Sequence, residues 1–256
     1  MKNQMLCSVI VPAYNCEHTL VQSIESVLCQ TYSNLEVLIV NDCSTDGTLQ
    51  VIQTLAEQDA RIRCIALASN GGVAKARNRA FAEARGTYCA FLDSDDIWVP
   101  EKLETQIALL QDGKSDFTYS SYSFIDGKGK VIGQAKMVPS SCSISDILKE
   151  NFILCSTVVI KTKFCKTYAM DGAYAHEDMV YWLTLLQAGC KAVGCETVLA
   201  FYRIYNQNRS GNKAKAAKDR WIVYRRFLKL NMISSLWYFL SYTAYGIRKY
   251  SKLKKI

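Results

Sequence analysis

The chain has 256 residues, half of them apolar, and a formal net charge of +8; the length bounds it to one large domain, or a domain with an appendage, and the composition excludes a disordered protein. Its eleven cysteines run from Cys7 to Cys195 without a C-x-x-C pair, and it has only two histidines, which argues against a zinc module or a disulfide framework and for reduced thiols in a cytosolic protein. The charge is divided: residues 213–256 hold twelve Lys/Arg and one acid, whereas residues 1–212 hold nineteen against twenty-two.

Residues 6–11 read as a strand by β-branched content. Pro12-Ala13-Tyr14-Asn15 interrupts that run before it reaches the length of a signal peptide. A helix follows with Leu20, Ile24, Val27 and Leu28 on one face. Residues 35–40 form a second buried strand ending in Asn41-Asp42, and residues 44–48 form a turn and N-cap cluster before a helix marked by Leu49, Ile52 and Leu55. A third strand covers 62–67, and Asn70-Gly71-Gly72 turns into a helix over 73–84 that Gly86 stops. Residues 88–92 make a fourth strand, followed by Asp93-Ser94-Asp95-Asp96 and a helix opened by Pro100. Strand and helix alternating in this way predict an α/β fold with a mostly parallel central sheet and flanking helices. Beyond Asp112 the pattern loosens: a hairpin around Asp126-Gly127-Lys128-Gly129, a strand over 153–160, a helix over 177–186, a strand over 192–202 and a polar loop over 203–211.

Three carboxylates within four residues of a strand end do not fit a sheet core, because an unpaired buried carboxylate costs several kcal/mol or takes up a proton. They place a cleft at the carboxyl edge of the sheet, where open α/β sheets bind ligands. Acids spaced i and i+2 suit a hard divalent cation that also binds phosphate oxygens; the competing reading is an Asp-rich turn that caps the next helix. Tyr14/Asn15, Asn41/Asp42 and Asp93/Asp95 end three strands and converge on that edge. The chain has neither G-x-x-x-x-G-K-[ST] nor G-x-G-x-x-G after its first strand. A nucleotide would therefore be held through base and ribose contacts, with a metal on its diphosphate. Glu177-Asp178, at a predicted helix start, are candidates for a general base, although acids there also simply complement the helix dipole.

Five motifs in order carry a resemblance: residues 7–15 (CSVIVPAYN), residues 40–48 (VNDCSTDGT), Asn70-Gly71-Gly72 with Ala76-Arg77-Asn78, Leu92-Asp93-Ser94-Asp95-Asp96, and Glu177-Asp178 with Trp182-Leu183. Over about residues 5–210 the chain resembles family 2 glycosyltransferases of the GT-A fold, among the bacterial enzymes that build O-antigen, capsule or lipooligosaccharide. The resemblance implies a single-displacement, inverting transfer of a hexose (Gal, Glc or HexNAc) from a UDP-sugar to a saccharide acceptor, assisted by Mn²⁺ or Mg²⁺. It implies that Pro12, Tyr14, Asn15 and Glu17 line the nucleotide pocket and that Asp42 meets the uracil. Asn70, Gly72 and Arg77 would support the base and diphosphate, Asp93 and Ser94 the ribose side, and Asp95 with Asp93 the metal. Asp178 would be the base, with Glu177 beside it. Asp96 either holds the donor sugar or caps the next helix; Trp182 and Arg203 are weaker donor-sugar or acceptor candidates. Tyr202-Arg203 and Ser210 loosely match a loop that closes over the diphosphate.

The division expected is a GT-A domain over 1–212 (nucleotide-binding half 1–100, acceptor half 101–212) and a basic, aromatic helical tail over 213–256. The apolar core of that tail, 232–247, is short of the roughly twenty residues that span a bilayer. With Arg225, Arg226 and Lys229 before it and Arg248, Lys249, Lys252, Lys254 and Lys255 after it, the tail reads as an interfacial helix on an anionic leaflet. The expected place is peripheral, on the cytoplasmic face of the inner membrane, with a polyprenyl-pyrophosphate-linked acceptor and no nucleic acid. The alternative is a helical pair packed on the domain. Two rival functions are a sugar-nucleotide-making nucleotidyltransferase, which needs a Gly-rich basic loop where Pro12-Ala13-Tyr14-Asn15 stands, and a non-catalytic binding module.

Overall fold

The structure is a computed structural model that describes residues 4–205 and 213–253. Its first half alternates β1 (Cys7–Ala13), α1 (Leu20–Leu28), β2 (Leu35–Asn41), α2 (Thr48–Gln58), β3 (Ile62–Ala66), α3 (Val73–Glu83) and β4 (Tyr88–Phe91). These four strands are parallel in the order β3-β2-β1-β4. Every residue of β1 and β2 is buried, as expected of strands covered on both faces. Alternate side chains feed two cores: Val9, Val11, Val37 and Ile39 pack with Ile24 and Val27 of α1, while Ile10, Leu38 and Val40 pack with Ala76 and Ala80 of α3.

The second half comprises β5 (Ile97–Trp98), α4 (Lys102–Gln111), β6 (Phe117–Ile125), β7 (Val131–Lys136), α5 (Ile144–Lys149), β8 (Val159–Lys161), α6 (Thr162–Thr167), α7 (Glu177–Gln187) and β9 (Ala192–Arg203). β8 pairs antiparallel with β4 and continues the same sheet through β6 and β9 to β5, so the parallel half passes into a mixed half at β4. Residues 153–160 are not one strand. Cys155–Thr157 form a single 3-10 turn before the three-residue β8, because the Ser156 hydroxyl is turned to Asp96 and the Thr157 hydroxyl to the Leu154 carbonyl. α5 starts at a capping box in which Ser143 and Asp146 satisfy each other's backbone amides.

After the undescribed stretch come α8 (Lys213–Ile222), a π-helical turn at Val223–Phe227 and α9 (Met232–Leu253). Val223 and Tyr224 are buried in the same core as Trp182 of α7. Arg220 is buried too, donating to the carbonyls of Ile147 and Leu148, and Tyr224 Oη donates to Leu148 at 2.6 Å. The composition boundary at residue 213 is therefore crossed by a shared core. Among the described residues, no helix is long and apolar enough to cross a membrane.

Candidate active site

The parallel register brings the strand ends together. Ala13 pairs with Asn41, and the Asp42 amide donates to the Ala13 carbonyl at 2.8 Å, so the loops after β1 and β2 leave the sheet side by side. The Asp42 carboxylate accepts the backbone amides of Gly71 and Gly72, each at 2.8 Å, and Asn70 Nδ2 donates to the Asp42 carbonyl at 3.0 Å. Gly72 takes φ of 82°, a left-handed conformation that L side chains rarely adopt, and so turns its amide back to Asp42 just before α3.

The acidic loop after β4 is held from three sides. Thr19 and Ser23, at the start of α1, both donate to the Ser94 carbonyl at 3.0 Å. Ser156 accepts the Asp93 amide at 3.0 Å and donates to the Asp96 carboxylate. Arg203 of β9 donates from Nε to the Asp95 carbonyl at 2.7 Å and from its amide to Asp96 at 3.0 Å. Burial, and then the neighbouring charge of Asp93, push the Asp95 carboxyl up to about 6. Asp96 is fully buried and held well above the usual carboxylate range, by burial and then by both neighbouring aspartates.

α7 closes the opposite side. Arg77 of α3 donates to Asp93 at 2.6 Å and to Glu177 at 3.4 Å. Glu177 thus shares its guanidinium with the β4 loop, whereas Asp178 receives Asn151 Nδ2 at 3.3 Å and the Met179 amide at 2.7 Å. His176, just before α7, lies with Nε2 3.2 Å from the Ala216 carbonyl of α8.

These groups surround a cavity of about 930 Å³. Of the residues picked out from sequence, Pro12, Tyr14, Asp42, Asn70, Gly72, Arg77, Asp93, Ser94, Asp95, Glu177 and Asp178 line it. The others do not. Asn15 spends its side chain on Thr45 and its amide on Ser44, and Glu17 accepts the Gly47 amide at 2.7 Å, so both knit the β1 loop to the β2 loop. Asp96 braces the acidic loop from beneath. Trp182 is a core side chain stacked on Phe117, its indole donating to the Ile153 carbonyl. Arg203, 1% exposed, spends its guanidinium on Asp95, Asp126, Gly127 and Gln22. Ser210 lies outside the described residues. Sequence reasoning missed Cys155, from the 3-10 turn, and Lys215, Ala216 and Asp219, from α8. Nothing local in the sequence marks them: Cys155 reaches the cavity through the 3-10 turn that stands where a strand is expected, and the α8 residues through packing of the basic segment.

Asp93 and Asp95 fit a divalent cation. Both are hard oxygen donors on the cavity wall, and the Asp95 carboxyl, raised by burial and then by the charge of Asp93, is one that a bound cation would favour in its ionised form. Among the described residues no cluster of three or more His, Cys, Asp or Glu side chains is placed to hold a metal ion, so water and phosphate oxygens would complete the shell.

Residues 8–175 match the family described as Glycosyl transferase family 2. The chain belongs to that family. Across 95% of its length it is 38% identical to the Bacillus subtilis teichuronic acid biosynthesis glycosyltransferase TuaG, 97% of which is covered. It is 35% identical, over 96% of its length and 95% of the relative, to WfgD of Escherichia coli, a UDP-Glc:alpha-D-GlcNAc-diphosphoundecaprenol beta-1,3-glucosyltransferase. The mannosyltransferase PcManGT of Pyrobaculum calidifontis, solved with GDP-Man and Mn²⁺, superposes with a TM-score of 0.73 over 95% of this chain and 74% of that one, at 15% identity. This last likeness is one of fold: the family 2 glycosyltransferase described here has the GT-A architecture, and it is an enzyme.

Proposed function

We propose that the protein is an inverting, metal-dependent glycosyltransferase that moves a hexose (galactose, glucose or an N-acetylhexosamine) from a UDP-sugar to a saccharide linked to polyprenyl pyrophosphate, in bacterial surface-polysaccharide synthesis. The observation that carries this reading is that Asp95 and Asp178, from opposite halves of the sheet, open on one cavity with Arg77 joining the loops between them.

In this reading Tyr14 and Asp42 flank the uracil, the Asp42 oxygens using lone pairs left beyond the two backbone amides. Asp93 and Asp95 would hold Mn²⁺ or Mg²⁺, which when bound supplies positive charge against the departing diphosphate. Asp178 takes the proton from the acceptor hydroxyl as its oxygen attacks the anomeric carbon; UDP leaves from the far side of that carbon, and one displacement inverts the configuration. Asn151 fixes the orientation of Asp178. Residues 1–100 serve as the nucleotide half, 101–212 as the acceptor half, and 213–256 bring the enzyme to the cytoplasmic face of the inner membrane as a peripheral protein. The activity for which WfgD is named supports a UDP-sugar donor and a diphospholipid acceptor. The test is a screen of UDP-sugars for UDP release, with and without a pyrophosphate-lipid acceptor analogue. One UDP-sugar turning over only with that acceptor is the expected result; no acceptor-dependent release from any of them would end the proposal.

A further inference from the structure

α9 faces the wrong way for a helix packed on a water-soluble domain. Its inward side carries Ser235, fully buried, Tyr238, whose hydroxyl meets Ser145, and Tyr242, whose ring lies 4.9 Å from the Arg220 guanidinium. Its outward side carries Ile233 at 83% exposure, Trp237 at 63%, Met232 and Leu240 at 59% each and Leu236 at 50%. The spacing i, i+3, i+4, i+7 places Ile233, Leu236, Trp237 and Leu240 on one stripe. Amphipathic helices on soluble domains turn such a stripe inward. Here Ser235, Tyr238 and Tyr242 lie inside with Phe239, and Ile233, Leu236, Trp237 and Leu240 are in solvent.

The charge of the surrounding chain selects what covers this face. Residues 221–256 contain eight Lys/Arg and no Asp or Glu. A second copy docked on the same face would bring two such segments together, whereas an anionic lipid surface neutralises them. The tryptophan suits the headgroup level, and the stripe suits the boundary of the acyl chains. The face is also tied to the cavity: Lys215 and Asp219 of α8 line the cavity wall, and Trp221 of the same helix packs edge-on against Phe239 of α9 at 5.5 Å.

We infer that the outward face of α9, formed by Ile233, Leu236, Trp237 and Leu240, is a docking surface for an anionic membrane leaflet, and that it sets the cavity beside lipid-borne acceptors. The inference rests on the proposed lipid-linked acceptor but is tested apart from it. The full chain is mixed with vesicles of phosphatidylglycerol or of phosphatidylcholine and sedimented. Binding to the anionic vesicles, weakened by salt, is expected. Combining Ile233→Ser, Leu236→Ser, Trp237→Ser and Leu240→Ser should lower that binding about a hundredfold. UDP release with a water-soluble acceptor should stay unchanged, because none of the four lines the cavity. Brominated lipid should quench wild-type fluorescence and leave Trp237→Phe much less affected, a readout that stands even if the fourfold variant fails to fold. Absence of wild-type binding, unchanged binding by a folded fourfold variant, or quenching unaltered in Trp237→Phe would each overturn the inference. So would a wild-type dimer that the four substitutions split, since the face would then belong to a second copy. Vesicle binding as expected with no transfer to any lipid-linked acceptor would leave the docking surface standing and remove the proposed reaction.

Discussion

Asp93 and Glu177 are joined by one guanidinium: Arg77 reaches Asp93 at 2.6 Å and Glu177 at 3.4 Å from within the buried layer between α3 and the cavity. The acidic loop after β4 and the α7 side of the cavity are thereby held to a single side chain. Arg77→Ala would leave the buried Glu177 without this cation, and removing one partner of a buried ion pair costs about 3 kcal/mol or more. The urea midpoint of this variant should fall accordingly, with glycosyl transfer lost even where the protein stays folded.

Asp178→Asn keeps the shape of the side chain and removes its ability to accept a proton. Turnover should drop by roughly two to four orders of magnitude, the usual contribution of a general base. UDP affinity measured by calorimetry should stay near that of the wild type. Turnover close to wild type would assign proton removal to another group.

Asp95→Ala should abolish Mn²⁺-dependent binding of UDP and transfer together. Calorimetry with UDP in Mn²⁺ and in chelator distinguishes the outcomes. Wild-type activity that is equal in both conditions would remove the cation from the reaction.

Lys102 gives a pH dependence to stability. It is fully buried at the start of α4, donating to Gln106 with its ammonium 4.3 Å from the Trp98 ring centroid, and burial pulls it from 10.5 down to about 7. The thiol of Cys7, which would raise it if ionised, is itself kept neutral by burial. Between pH 7 and 10.5 the unfolded chain holds a proton on Lys102 that the folded chain has released, so the contribution of this group to stability rises with pH across that window. Below pH 7 both forms carry the proton and the penalty is at its full size. From pH 7 to pH 9 the gain is about 2 kcal/mol. Chemical denaturation at these two pH values should show it as a gain of the wild type over Lys102→Met, because the buried thiols, which ionise only on unfolding, pull the other way equally in both proteins.

The parallel half of the fold was legible because its strands are continuous apolar runs and its helices carry one apolar face, so β1, β2, α1 and α2 fall where the sequence places them. The cavity wall was legible for the same reason: residues that end parallel strands share an edge. What the sequence concealed depends on long-range pairing. Ser156 and Thr157 look like strand residues until Asp96 and the Leu154 carbonyl claim their hydroxyls. Arg203 and Trp182, polar-tipped or aromatic side chains beside functional motifs, are drawn inward by partners far along the chain, such as Gln22, Asp126 and Ile153. The direction in which α9 faces cannot be read from its own residues, since its aromatic and aliphatic groups circle the helix, and only the docking of Tyr238 and Tyr242 fixes it.

The two glycine amides on Asp42 bear on any attempt to redesign the proposed nucleobase contact. Replacing that carboxylate would strand both amides and loosen the entry to α3, so a swap meant to alter selectivity would register first as a folding defect. Tyr14, half exposed, is the safer place to begin such engineering.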